Sequence, residues 1–418
     1  MTVAREGCRI VAVLGLAMAV GCRPAPPPEF PVWAEAPAPV RVDSGSGASF
    51  DLYAAAALAT EETASAYLNR VSFLPRERQA VVELLGPQMA MLDRASRGRL
   101  EFRFQPVEIG TPPPFHGGWL LLGRAMAWRI EAALADQRYD DAVGWTLVAT
   151  RFGFDLSHGG VADAALGFSV VEMARQAIIP GLPELSAAQH RRLAEGLVHA
   201  LGRIAPAETA LRNEHANMLL AVQRIQDRYR AREFDEIKRE LGLSVRDAVE
   251  YLRRMSAEDS EKRPAYFQGF AEESEKWVDH WVELSKRNAA QRKVLLDRRE
   301  TRDPLHLASY RPWRRFARAL FATGEIYLRQ RDAALARTRL LGLECWVRAR
   351  IRTDRAAPPS LSNAPSALLI DPYSGLPFVY GAQGDQFRLY SVGPNLIDDG
   401  GETDDRFTSP DLTIERTL

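Results

Sequence analysis

Residues 119 to 154 read WLLLGRAMAWRIEAALADQRYDDAVGWTLVATRFGF, and they decide the fold class. From Trp119 to Asp136 apolar residues recur at three- and four-residue spacing, the period that places side chains on one face of an α-helix. The pattern stops at Gln137-Arg138-Tyr139-Asp140 and resumes from Ala142 to Phe154. A short polar break between two such runs joins neighbouring antiparallel helices, so the stretch predicts an α-hairpin.

The signal extends outward in both directions. Val161 to Ile178, Ser186 to Ile204 and Pro206 to about Arg232 carry the same period, with Pro183 as a breaker and Ser186 as the N-cap of the second run. The hairpin resembles a tetratricopeptide-type unit, in which small and aromatic residues knit two helices together. A clean period of about 34 residues does not recur, so the expected body is mainly α, an irregular stack of α-hairpins, TPR-like without being a regular array. Leu100 to Gln105 alternates as a strand does and leads into Gly110-Thr111-Pro112-Pro113-Pro114, which predicts a short extended crossover. Between Ser256 and Arg299 a charged stretch places Trp277, Trp281 and Leu284 on one helical face, read as a surface helix that uses its tryptophans as core. A partner-binding ridge would instead leave both indoles exposed.

The N-terminal end has a different character. Arg5 and Arg9 precede Ile10 to Val20, an apolar run of 11 residues interrupted only by Gly15. Spanning a bilayer takes roughly 20 apolar residues, so this run has the length of a signal-peptide h-region instead. It ends in Ala19-Val20-Gly21-Cys22, which resembles the lipobox of bacterial lipoproteins. That resemblance implies a signal peptide over 1–21, lipid on Cys22, and a periplasm-facing protein held in the cell envelope by a membrane anchor. Arg23, standing where an aspartate would favour inner-membrane retention, leans the expectation towards the outer membrane. Residues 22–49 are rich in proline, alanine, serine and glycine and form an extended tether, rising roughly 3 Å per residue where they adopt polyproline II.

Cysteine usage agrees with export. Cys8 leaves with the signal, Cys22 takes lipid, and Cys345 remains alone, so the mature chain makes no internal disulfide and relies on its core. With 46% hydrophobic residues that core is large. Net charge is +0 and no basic stripe is interleaved with aromatics, which argues against nucleic acid as a partner. The five lysines, Lys238, Lys262, Lys276, Lys286 and Lys293, fall in one stretch of an otherwise arginine-rich chain, a pattern that nucleotide bias explains.

The tail carries the most specific signal. A helix from about Asp332 to Arg352, with the stripe Ala336, Leu340, Leu343, Val347 and Ile351, is stopped by Pro358-Pro359. Asp371-Pro372-Tyr373-Ser374-Gly375 is a turn sequence, and Pro377–Tyr380 with Phe387–Val392 predicts a β-hairpin around a five-residue loop, Gly381 to Asp385. The motif Asp371, Pro372, Tyr373, Gly375, Pro377, Tyr380, then Ser391 and Gly393, then an acidic, glycine-rich loop resembles the C-terminal half of the major pseudopilin of type II secretion systems. The resemblance covers about the last fifth of the chain and implies a small α+β module, a helix on a small antiparallel sheet, here 331–418 behind a helical body at 50–330. It also implies calcium in the loop, with Asn395, Asp398, Asp399, Asp404 and Asp405 as candidate ligands; calcium takes about six to eight oxygens. The departures are a lipobox and a tether where a pseudopilin has a prepilin-peptidase site and filament helix, and Thr353 to Pro358 in place of Gly-x-Tyr-Pro. The chain is therefore not expected to polymerise as a pilin does. Similar tails close uncharacterised helical envelope proteins.

Catalytic motifs are weak. His116, His158, His190, His199, His215, His280 and His306 are scattered, and none has the spacing that sets two metal ligands on one helical turn. Glu214-His215 and Asp279-His280 are adjacent pairs whose members point in different directions on a helix. Ser44 to Gly47 lacks the Gly-x-Ser-x-Gly of a nucleophile elbow, and no glycine-rich phosphate loop occurs. The expectation is a lipid-anchored, non-enzymatic scaffold or interaction module for a protein partner. Its alternatives are an envelope hydrolase with a site assembled from distant residues, and an accessory factor docking to secretion-pseudopilus components. A cleft of convergent carboxylates or a perturbed histidine would favour the hydrolase.

Overall fold

The computed structural model describes residues 32, 34, 42, 48–98, 100, 102–104, 115–231, 263–300, 311–401 and 411–414. Cys22, nearly all of the tether, His306, Asp404 and Asp405 lie outside the described residues. The described chain is mainly helical, with a small two-stranded antiparallel sheet near its C-terminal end.

Twelve helices are described: α1 Ser49–Thr63, α2 Pro75–Leu84, α3 Gly86–Arg97, α4 His116–Ala135, α5 Tyr139–Leu156, α6 Val161–Ile178, α7 Ala187–Leu201, α8 Ala207–Arg230, α9 Arg263–Ser285, α10 Ala289–Glu300, α11 Arg311–Asp354 and α12 Ser366–Leu369. Helices α4, α5 and α6 pack on one another, α7 lies against α5, and α1 lies against α3 and α4. Helix α9 packs along α8, and α11 closes the body by running across α6 and α7 and touching α8 and α9.

The expected break between α4 and α5 is a helix stop with a defined mechanism. Gln137 adopts φ 60, its N–H reaches the Leu134 carbonyl at 3.0 Å, and the Arg138 N–H reaches that of Ala133 at 2.7 Å. These are the two bonds of a Schellman motif, here closed by a residue other than glycine. At the α5–α6 crossing Gly153 and Gly167 face each other, and a Cβ on either would clash with the backbone carbonyl of the other. The missing side chains let the two backbones touch. Ser186 caps α7 reciprocally: its hydroxyl accepts from the Gln189 N–H at 3.3 Å, and the Gln189 side chain accepts from the Ser186 N–H at 2.9 Å.

Two clusters form the core. One gathers Tyr53, Trp119, Met126 and Phe152 of α1 to α7 together with Cys345 of α11; the other gathers Phe154, Phe168, Trp281, Tyr327, Leu343 and Leu412 around α11. The fully buried Cys345 thiol is pushed well above its ordinary value by burial. Trp281 and Leu284 are buried and Trp277 is half-buried, as the surface-helix reading requires.

Several boundaries differ from the sequence reading. The Ser256–Arg299 segment holds two helices, because Asn288 caps a new start by accepting from the Gln291 N–H at 2.8 Å. The helix expected from Asp332 begins at Arg311, so the 330/331 boundary falls within one continuous helix. Leu100 and Phe102–Phe104 form no strand, and Phe102 packs edge-on against Phe50 with centroids 5.0 Å apart. The hairpin pairs β1 Val379–Gln383 with β2 Gln386–Tyr390, with Gln383 opposite Gln386. Its loop is therefore two residues, Gly384-Asp385, rather than five. Gly384 at φ 65 occupies the first turn position, which favours glycine and closes the strands sooner than the alternation suggested.

Candidate functional site

The motif residues converge. Ile370 bridges Pro377, the Asp371 N–H donates to the Leu376 carbonyl at 2.8 Å, and the Gly375 N–H donates to the Asp371 carbonyl at 2.8 Å, closing the turn. The buried Asp371 carboxylate accepts from the Tyr373 N–H at 3.0 Å, the Ser391 hydroxyl at 2.9 Å and the Val392 N–H at 3.3 Å. Burial raises its pKa, and these donors oppose the rise. One side chain thus ties the turn to the end of β2, and Ser391 in turn accepts from the Gly393 N–H at 3.1 Å. The carbonyls of Pro372 and Tyr373 accept from the Ala289 and Ala290 N–H groups at 3.2 and 3.0 Å, satisfying the otherwise orphaned amides that open α10. The Tyr380 hydroxyl donates to the Pro358 carbonyl at 2.6 Å.

Buried charge sits behind this turn. Arg292 on α10 pairs with Asp332 on α11. Burial raises Asp332 to about 6, and Arg292 and Arg331 act against the rise. Burial also pushes the neighbouring Tyr373 hydroxyl well up, and the Asp332 charge adds to it.

In the acidic loop, Asp398 Oδ1 accepts from the Tyr390 hydroxyl at 2.9 Å and the Gly400 N–H at 3.0 Å. The Asn395 amide donates to Asp399 Oδ2 at 2.8 Å. A buried residue that sequence reasoning did not select, Asp411, accepts from the Asp399 and Gly401 N–H groups at 3.0 and 2.8 Å. These donors are the hard oxygens calcium takes. Among the described residues, however, no three histidine, cysteine, aspartate or glutamate side chains converge to hold a metal.

A second constellation has no sequence motif. His116, the first residue of α4, donates through Nε2 to Asp163 Oδ1 at 2.6 Å, and Asp163 Oδ2 accepts from the Gly160 N–H at 2.9 Å. Glu214 on α8 accepts from the Val161 N–H and from Asn217 Nδ2 at 3.1 Å; burial raises its carboxyl, and the Asp163 charge adds a smaller push. Glu61 on α1 accepts from the Gly118 N–H at 3.2 Å. Three carboxylates thus sit at the N-terminal ends of α4 and α6, where the helix dipoles favour negative charge. Asp163 fixes one tautomer of His116, which is how a general base is oriented. Among the described residues no serine, threonine or cysteine is bonded to that imidazole.

The other described histidines are engaged locally. His158 donates to the Arg203 carbonyl at 2.9 Å and His199 to the Glu195 carbonyl one turn back at 2.8 Å. His280 lies between Trp277 and Trp281. His215 is bonded to Ser274 at 3.1 Å while Glu214 faces α6, the divergence expected of helical neighbours. His190 is buried on α7, and burial together with Arg348 and Arg352 lowers it to about 4.

No family model matches the chain, and searches against curated proteins and solved structures return no match.

Proposed function

We propose that this chain is a lipid-anchored envelope protein that acts by contact, a non-enzymatic scaffold whose helical body and pseudopilin-like module together present a surface to a protein partner. The observation that supports this most is the fusion of module and body. The motif turn caps α10, Asp371 joins that turn to β2, and α11 runs without a break from the module into the helical packing. A module fixed this way holds its surface in one orientation, the pre-organisation a docking partner needs. The helical hairpins, TPR-like in this reading, supply the long faces suited to such a partner.

The anchor belongs to the same proposal. Cys22→Ser should move the protein from the membrane to the soluble fraction, and continued membrane partitioning of that variant would remove the lipid. Crosslinking in intact cells should then recover a discrete protein partner with the wild type; recovery of none would overturn the contact role. If the partner belongs to a secretion pseudopilus, deletion of 356–418 abolishes its recovery. Calcium at Asn395, Asp398, Asp399, Asp404 and Asp405 would raise the melting temperature at millimolar concentration, and no shift would remove the ion.

The His116–Asp163 pair beside Glu214 favours a second reading, a hydrolase. Turnover of chromogenic ester, amide or glycoside substrates that disappears in His116→Asn at unchanged melting temperature would support it; no turnover by the wild type would end it.

A further inference from the structure

We infer that the groove holding Asp411–Ile414 is a peptide-binding site that the chain fills with its own segment, and that it accepts an external extended peptide of the pattern Asp-Leu-x-Ile. The inference rests on the contact role proposed above and names the chemistry of the partner. Among the described residues five hydrogen bonds hold the segment, each to a partner outside it. Ser391 gives its N–H to the Leu412 carbonyl at 3.0 Å and takes the Leu412 N–H at 2.9 Å. The Asp399 and Gly401 N–H groups grip the Asp411 carboxylate at 3.0 and 2.8 Å. Arg175 on α6 donates to the Ile414 carbonyl at 2.7 Å.

This is recognition by strand addition: main-chain bonds supply affinity, and pockets for alternate side chains supply specificity. Leu412 is fully buried in the second core cluster, and Ile414 packs on the first. The receptor groups also have bonds of their own that do not involve the segment. Arg175, only 2% exposed, is oriented by Glu172 through bonds of 2.9 and 2.8 Å, so the segment's departure leaves that guanidinium paired. Gly400 and Gly401, at φ 77 and 71, bend the loop so that the flanking Asp399 and Gly401 amides face the Asp411 carboxylate while the Gly400 N–H is taken by Asp398, and Tyr390 leaves no room for a Cβ on Gly401. Ser391 is held by Asp371 from the far side.

The test uses the full chain with a protease recognition sequence inserted between Gly401 and Asp411, cut after folding. A fluorescent peptide of the sequence Ser409 to Leu418 is then titrated in. The cut protein should exchange its fragment for the peptide saturably, while the intact chain excludes it. A peptide carrying Leu412→Asp, or a cut chain carrying Arg175→Lys, should bind about tenfold more weakly or worse. If the intact chain takes its segment from a second copy, size-exclusion chromatography shows a dimer that free peptide converts to monomer, which supports the site and identifies its supplier. The inference is overturned if the cut fragment never exchanges, or if its release abolishes the helical circular dichroism. The measurement uses purified protein, so it fails or succeeds independently of the membrane anchor.

Discussion

Tyr53 and Asp155, 102 positions apart, share a 2.6 Å hydrogen bond in the interior, where Asp155 has no exposed surface. Arg203 completes the arrangement with bonds of 2.7 and 2.6 Å to both oxygens of Asp155. Three parts of the chain meet there: α1, α5 and the connection between α7 and α8. Burial raises the Asp155 carboxyl, and the Arg203 bonds oppose that rise.

Breaking this arrangement from different sides should have unequal effects. Tyr53→Phe removes one donor and leaves Asp155 paired, costing about 1–2 kcal/mol. Asp155→Ala leaves the Arg203 charge half-buried and the tyrosine hydroxyl unbonded, costing about 3–5 kcal/mol. Urea unfolding at neutral pH measures both, and equal losses would contradict the geometry.

The glycine crossing of α5 and α6 gives a second expectation. Gly167→Ala should destabilise by about 1–3 kcal/mol, towards the upper end because the obstructing atoms belong to the backbone. The double variant with Gly153→Ala should lose less than the sum of the single losses, since the first methyl already separates the helices. Thermal unfolding with a double-mutant cycle tests this.

His190 should make stability depend on pH. Its folded pKa of about 4 lies below the ordinary 6.5, so the unfolded chain binds more protons between those values. Stability from this group is complete above pH 6.5 and falls as the pH drops towards 4, by about 3 kcal/mol in all. Asp332 acts in the opposite sense: raised from 3.8 to about 6, it contributes stability that is lost as the pH climbs through 6. The two nearly cancel in the wild type. The readout is therefore the difference between the wild-type and His190→Gln profiles, which should slope across pH 4 to 6.5; a flat difference would contradict the assignment.

Gln137→Gly should stabilise the protein by up to about 1 kcal/mol. The left-handed conformation strains a side-chain-bearing residue at the end of α4, and glycine relieves it at some cost in unfolded-state entropy. A rise in the urea midpoint at constant m-value is the expected result.

Local patterns were legible in the sequence, and non-local ones were not. The period from Val161 to Ile178 predicts α6 with the bounds observed, and the Ser186 cap and the turn at Asp371 form as their residue types require. Trp281 enters the core because its spacing with Leu284 marks an apolar face. The helix extends upstream to Arg311, beyond the Asp332 start that the stripe from Ala336 predicts, because dense arginines obscure the apolar period there. The His116–Asp163 bond joins residues 47 positions apart, and its members carry no spacing signal. Asp411 carries no motif in the sequence; its importance comes from the two amides that face it, which only the folded loop brings together.

Cys345 turns the core into a clock. Alkylating reagents attack a thiolate, and at this position the sulfur is both sealed off and held protonated. Labelling therefore advances only when α11 lifts away or the whole chain opens, so the rate of maleimide uptake reads the opening free energy of the interior without an engineered probe.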